Sequence, residues 1–308
     1  MGKDVAEQFP AAREIFSKAD QILGFPLSRL CWEGPQEALT RTEQAQVALY
    51  VTSLACLEAL KSELKPEGVG PGGQVLRPVP QRGLTPAAAG GLSLGEYTAL
   101  AAAGVLSFED GLKLVHLRGQ AMEEASQALP GTMASVLGLE LDILEAICAE
   151  SGAQVANINS PGQVVISGTI DAVQAASDKA KEKGAKRVMA LEVGGAFHSR
   201  LMEPAGARLE AALEAVSLHP FQFPVVSNVT GSLYQDPSEA RILLVKQLTH
   251  PVQWVNCMRA LLAGGVRTFL EVGTGSVLKG LLRTIDSQAT AVSVGTASQI
   301  HEAAKALA

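Results

Sequence analysis

Gly91-Leu92-Ser93-Leu94-Gly95 is a G-x-S-x-G pentapeptide, followed at once by Glu96 and an apolar segment with helical periodicity. That is the pattern of a nucleophile elbow, a sharp strand-to-helix turn that pushes a serine hydroxyl outward while glycines on either side let backbones pass closely. The first amide of the new helix, that of Leu94, would then donate to an oxyanion formed beside the serine. A chain with 30 glycines also produces this spacing in ordinary turns, so Ser93 needs a base before it means chemistry.

Five histidines are available. His116 recurs with Leu112, Val115, Gly119 and Met122 at helical spacing, which suits a packed or half-exposed helix residue. His219 and His250 each precede a proline and read as extended loop; His301 falls in a terminal alanine-rich helix. His198 is different. It follows the strand-like run 187–193 and the flexible Gly194-Gly195-Ala196-Phe197, so it stands where a strand ends in a loop, and ligand chemistry collects there in α/β folds. Arg118, within Leu117-Arg118-Gly119-Gln120-Ala121-Met122, admits two readings. It is either a surface arginine paired with Glu123 or Glu124, or a guanidinium near the elbow that grips a substrate carboxylate with two prongs.

These residues need elements to hold them. Residues 5–23 and 42–64 read as amphipathic helices, and the Gly/Pro-rich stretch 66–91 reads as loop. An elbow needs a strand just before its serine; only 85–90 is available, and Pro86-Ala87-Ala88-Ala89 is a poor strand former. From 131 to 193 short strands and helices alternate: strand 132–137, helix 141–150, strands 155–159 and 163–167 around Ser160-Pro161-Gly162, helix 170–183 and strand 187–191. The order β-α-β-β-α-β is that of the ferredoxin-like unit. We expect a large domain of residues 1–127 and 195–308 and a small inserted domain of residues 128–194, with the serine and histidine on opposite sides of the insertion and a cleft between the domains. After the insertion, 224–228 reads as a core strand, 253–263 as a helix and 268–272 as a strand. Glu271-Val272-Gly273-Thr274-Gly275 then opens a helix over 276–285, and its Gly-x-Gly reads as a tight connection rather than a phosphate seat.

With 308 residues and 47% hydrophobic content the chain can bury a large core, and a net charge of −6 without a basic cluster argues against nucleic acid. Cys31, Cys56, Cys148 and Cys257 are scattered, with no C-x-x-C pair and no histidine at ligand spacing, so reduced thiols are expected, without disulfide or metal. No basic-then-apolar leader opens the sequence and no apolar run approaches about eighteen residues, which predicts a soluble cytoplasmic protein with no membrane partner.

In order along the chain, Gly91-Leu-Ser-Leu-Gly-Glu-Tyr97, Arg118-Gly119, Asn159-Ser-Pro-Gly-Gln163, Gly195-Ala-Phe-His-Ser199, Gln247 with His250-Pro-Val-Gln-Trp254, and Glu271-Val-Gly-Thr-Gly275 resemble malonyl-CoA:acyl carrier protein transacylases. The resemblance implies an α/β-hydrolase-like large domain carrying the ferredoxin-like insertion. It implies that Ser93 takes a malonyl group from malonyl-CoA with His198 as base, and passes it to the phosphopantetheine thiol of acyl carrier protein in fatty acid biosynthesis. It also implies that a main-chain carbonyl at Gln247 orients the imidazole, that Arg118 pairs with the malonyl carboxylate, and that Asn159, with Asn157, lines the CoA entrance. Phe197 resembles the malonyl-selective form of the related polyketide motif, and serves equally as a core residue supporting its loop. No tightly bound cofactor is implied, and a monomer is expected.

The sequence departs from the family in two places. Leu92 stands where many members have histidine, a change confined to the pocket wall. Family members also begin with a buried strand and a Gly-Gln-Gly-Ser-Gln loop whose glutamine donates to the oxyanion, whereas this chain opens at Met1-Gly2-Lys3-Asp4, so that strand and donor are expected to be missing. Two other classes follow from the same residues. One is a serine hydrolase or thioesterase using Ser93, His198 and an acid such as Asp171 or Asp178. The other is a catalytically weak relic that binds acyl carrier protein.

Overall fold

The computed structural model describes residues 1–64 and 84–307, so positions 66–83 of the stretch read as loop lie outside the described residues. The helix expected over 5–23 is two helices, Lys3–Gln8 and Pro10–Leu23. Pro10 has no N–H to continue the first helix and holds Phe9 extended (φ −113°, ψ 112°), so the chain stops and restarts with proline in the new first turn. The helix Thr42–Glu63 runs through the core of the large region, with Val47, Tyr50, Val51, Ala55 and Leu60 all fully buried. It packs against both Pro10–Leu23 and Phe108–Ala128.

A small four-stranded sheet is inserted between that helical layer and the rest. Its strands are β1 (Thr132–Leu137), β2 (Gln154–Ser160), β3 (Gln163–Gly168) and β4 (Arg187–Ala190), in spatial order β2-β3-β1-β4 with every neighbour antiparallel. Helices Leu141–Ser151 and Ile170–Glu182 complete the β-α-β-β-α-β order and share a separate core with the sheet, built on Val136, Leu144, Ile166, Val173 and Ala176. Strands β5 (Thr268–Val272) and β6 (Thr290–Val294) form a parallel pair. The whole is a mixed α/β fold: a large helix-rich region and a small inserted sheet.

The expected strands at 85–90 and 224–228 do not extend. Among the described residues their only β pairings are isolated bridges, Ala89 with Val225 between the two segments and Val226 with Leu233. Pro86 and Pro224 each withdraw a ladder donor, and the alanines between offer little surface for cross-strand packing. Among the described residues no helix is long and apolar enough to cross a membrane.

Candidate active site

The elbow is real geometry. Ser93 precedes the helix Leu94–Ala102 with φ 52° and ψ −105°, a conformation that costs a residue with a side chain of order 1–3 kcal/mol. A Cβ on Gly91 would lie 2.0 Å from the Gly95 carbonyl oxygen, so the first glycine is required by close backbone passage. Gly95 has no such neighbour; a Cβ there meets nothing within 4 Å. Asn228 spans the turn. Its Oδ1 accepts the Ser93 N–H at 2.6 Å while its Nδ2 donates to the Gly91 carbonyl at 2.8 Å. The Leu94 N–H lies at the helix start, where intrahelical acceptors are lacking, and can serve an oxyanion.

His198 also has a positive φ, 57°. The loop reaching it passes so near the helix Phe108–Ala128 that a Cβ on Gly195 would lie 1.9 Å from Ser126 Oγ. His198 Nε2 is 2.9 Å from Ser93 Oγ, and Nδ1 is 2.7 Å from the Gln247 carbonyl oxygen. A carbonyl only accepts, so the proton is on Nδ1 and the Nε2 lone pair faces the serine hydroxyl. Burial, then the nearby Arg118 charge, pushes the imidazole down to about 4 against the opposing pull of the carbonyl. In the free protein the imidazole is neutral.

Arg118 is 2% exposed, and neither glutamate proposed as its partner meets it. Glu123 pairs with Arg41 and Glu124 with Arg208. The guanidinium instead donates through Nη2 to Ser93 Oγ and Gln247 Oε1, both at 3.0 Å, and through Nη1 to Gln46 Oε1. It also lies 5.5 Å from the Tyr97 ring centre. All three oxygens are neutral, so a buried cation points at Ser93 Oγ with no carboxylate hydrogen-bonded to it among the described residues.

Gln247, at the end of helix Glu239–Gln247, is fully buried and bonds four members of the cluster, Ser93, Glu96, Arg118 and His198. Besides its bonds to His198 and Arg118, its Nε2 donates to the Ser93 carbonyl at 3.0 Å and to Glu96 Oε2 at 2.6 Å. Three residues of this cluster, Gln46, Glu96 and Asn228, were not read from the sequence. Glu96 alone had a local signal, as a carboxylate three residues after the serine in an apolar helix; Gln46 and Asn228 come from distant segments with none.

The remaining candidates lie farther out. Phe197 is half-buried where the large core meets a small cluster of Met133, Ala156 and Val165. Asn159 and Asn157 lie on β2, beside the bridge from Asn157 to Val252; Asn159 Oδ1 is buried without a hydrogen-bond partner among the described residues. Leu92 packs with the cluster around Val226 and Trp254. Asp171 and Asp178 are exposed on the helix Ile170–Glu182, Asp178 bonding Lys181 and Gln174, and the nitrogen of His198 that a third acid would hold is already taken by Gln247. At the Gly-x-Gly turn the helix amides of Leu278 and Lys279 donate to Glu271, which fills an anion seat from within the chain. Among the described residues no group of three or more His, Cys, Asp or Glu could hold a metal.

A mixed α/β fold with a serine–histidine pair at an elbow is the architecture of the acyl transferase domain, whose family model matches residues 78–306. The chain is 41% identical to the malonyl CoA-acyl carrier protein transacylase of Bacillus subtilis, over 100% of this chain and 92% of that one, and 36% identical to the Escherichia coli K12 protein of that name, over 97% and 93%. It superposes with a TM-score of 0.89 and 35% identity on a malonyl-transacylase solved in complex with its type II PKS acyl-carrier protein, covering 99% of this chain and 94% of that one. An acyl-carrier-protein-S-malonyltransferase from Bartonella henselae gives 0.88 and 38%, covering 100% and 94%. The chain belongs to the malonyl-CoA:acyl carrier protein transacylase family.

Proposed function

We infer that this protein transfers a malonyl group from malonyl-CoA to the phosphopantetheine thiol of acyl carrier protein, a step of fatty acid biosynthesis. The observation that carries the malonyl assignment is Arg118: a buried guanidinium 3.0 Å from Ser93 Oγ, whose hydrogen bonds among the described residues all go to neutral oxygens, is matched by an acyl group that ends in a carboxylate. Ser93 Oγ attacks the thioester carbonyl as His198 Nε2 takes its proton, and the oxyanion forms beside the Leu94 N–H. Collapse breaks the C–S bond; the CoA thiolate leaves with the proton from His198, and malonyl remains as an ester on Ser93. The carrier thiol then reverses these steps, its proton passing through His198 to Ser93 as the new thioester forms. Gln247 supports the reading because its carbonyl accepts a hydrogen bond from Nδ1–H, which leaves Nε2 to exchange the proton in both directions.

Asn159 and Asn157 would line the CoA entrance and Phe197 would narrow the pocket against a branched acyl group. The domains divide as 1–127 with 195–308, and 128–194. Four scattered thiols without a disulfide fit the cytoplasm. Incubation with radiolabelled malonyl-CoA tests the reading: label on Ser93 that chases onto acyl carrier protein supports it, label recovered only as free malonate supports a hydrolase, and no label supports a carrier-binding relic.

A further inference from the structure

Ser93-Leu94-Gly95-Glu96 has the S-x-x-E spacing of a capping box, in which the serine side chain and the glutamate cap each other's backbone amides. Neither bond is made. The Ser93 side chain caps nothing, and its N–H goes to Asn228. Glu96 is turned inward and fully buried, a costly place for a carboxylate unless donors surround it. They do: Oε1 accepts from Tyr234 Oη at 2.5 Å and from the Asn228 N–H at 3.2 Å, and Oε2 accepts from Gln247 Nε2 at 2.6 Å.

The Glu96 carboxylate makes no hydrogen bond to Ser93, His198 or Arg118, yet it holds the two residues that do. Asn228 clamps the strained elbow from both sides. Gln247 gives its backbone oxygen to His198, its side-chain oxygen to Arg118 and its Nε2 to Ser93 and Glu96. An amide has a fixed polarity. Facing a carboxylate it must present NH₂, and its oxygen then faces the guanidinium; turned over, it would set NH₂ against Arg118 and oxygen against Glu96. We propose that Glu96 is a positioning residue of this site, whose buried carboxylate sets the orientation of Gln247 and anchors Asn228, and so fixes His198, Arg118 and Ser93 relative to one another.

The proposal rests on the acyl-transfer reading, and one experiment separates the two. Acyl-enzyme formation from labelled malonyl-CoA is followed by rapid quench, giving a burst rate constant and a burst amplitude. A wild-type protein without a burst removes the acyl-transfer reading itself. Given a wild-type burst above pH 7, where Glu96 is ionised, Glu96→Gln keeps the volume but sets an NH₂ against either Gln247 Nε2 or the Asn228 N–H, and its rate constant should fall roughly 10- to 100-fold at near-stoichiometric amplitude. Glu96→Asp, which keeps the charge and withdraws it by one methylene, should fall between. A Glu96→Gln rate within about twofold of wild type, or a loss of amplitude alone, overturns the assignment and leaves Glu96 a structural residue. Should Glu96→Gln fail to fold, Tyr234→Phe removes only one donor to the carboxylate; a reduced rate constant supports the assignment and an unchanged one overturns it.

Discussion

Ser93 and His198, whose side chains meet at 2.9 Å, are the two non-glycine residues with positive φ among the described residues, at 52° and 57°. Both halves of the pair are thus held in backbone conformations that a side chain resists, by bonds that converge from Asn228 and Gln247. Such strain at a reactive pair is a cost that the surrounding contacts must offset. It makes a comparison of two variants informative. Ser93→Gly should be more stable than Ser93→Ala by about 1 kcal/mol, because only alanine retains the strain. Denaturant unfolding of the two variants checks this; equal midpoints would place the strain elsewhere.

Arg118→Ala should lower kcat/KM for malonyl-CoA by about 10²–10³-fold while acetyl transfer falls far less, so that the malonyl/acetyl ratio collapses. On the proposed pairing, removing the guanidinium takes away a buried charge partner that the malonyl carboxylate uses and an acetyl group does not. Parallel assays with both thioesters measure the ratio, and a ratio equal to that of wild type would refute the pairing.

The glycines of the pentapeptide should behave unequally. Gly91→Ala forces a Cβ to 2.0 Å from the Gly95 carbonyl oxygen and should destabilise by about 3 kcal/mol or prevent folding. Gly95→Ala enters open space in a helix and should keep or raise the melting temperature, since alanine favours a helix over glycine by about 1 kcal/mol. Thermal melts of both variants decide it.

Glu96 and His198 should tilt the pH dependence of stability in opposite directions. Burial raises Glu96 from 4.5 to about 7, so the native state holds a proton that the unfolded chain has released, and stability is lost as pH rises from about 4.5 through 7. Burial and Arg118 lower His198 from 6.5 to about 4, so the unfolded state binds the extra proton, and stability is lost as pH falls from about 6.5 through 4. Relative to wild type, Glu96→Gln should therefore gain stability on going from pH 5 to 7, by about 3 kcal/mol in the limit, and His198→Gln should lose it over the same interval. Urea titrations at three pH values test both signs; a Glu96→Gln difference that stays flat would contradict the Glu96 shift.

Local patterns carried a good part of this molecule. The inserted sheet could be read because its strands alternate with helices at short spacing and Pro161-Gly162 marks the hairpin. The long helix Thr42–Glu63 was equally plain. Phe9-Pro10 split a helix that periodicity alone ran together, and the segments at Ala89 and Val225 kept strand-like positions without strand-like ladders. In the site, Ser93 and His198 were marked by the glycines beside them. Arg118 had two readings from its surroundings, and the choice lay in where Glu123 and Glu124 point, which is tertiary. Gln46 and Asn228 left no trace in the sequence, because a polar residue that will be buried by contacts from distant segments looks like any other until those segments meet.

All four cysteines are buried, and burial holds their thiols protonated: Cys31 is pushed up to about 11, Cys56 and Cys148 to about 12, and Cys257 higher still. For a protein that handles activated thioesters beside free CoA, this closes off a side reaction. A thiolate on its own surface would capture acyl groups by exchange and strand them away from the carrier. With every thiol inside and neutral, the chain offers no cysteine to compete for the acyl group that Ser93 is proposed to carry.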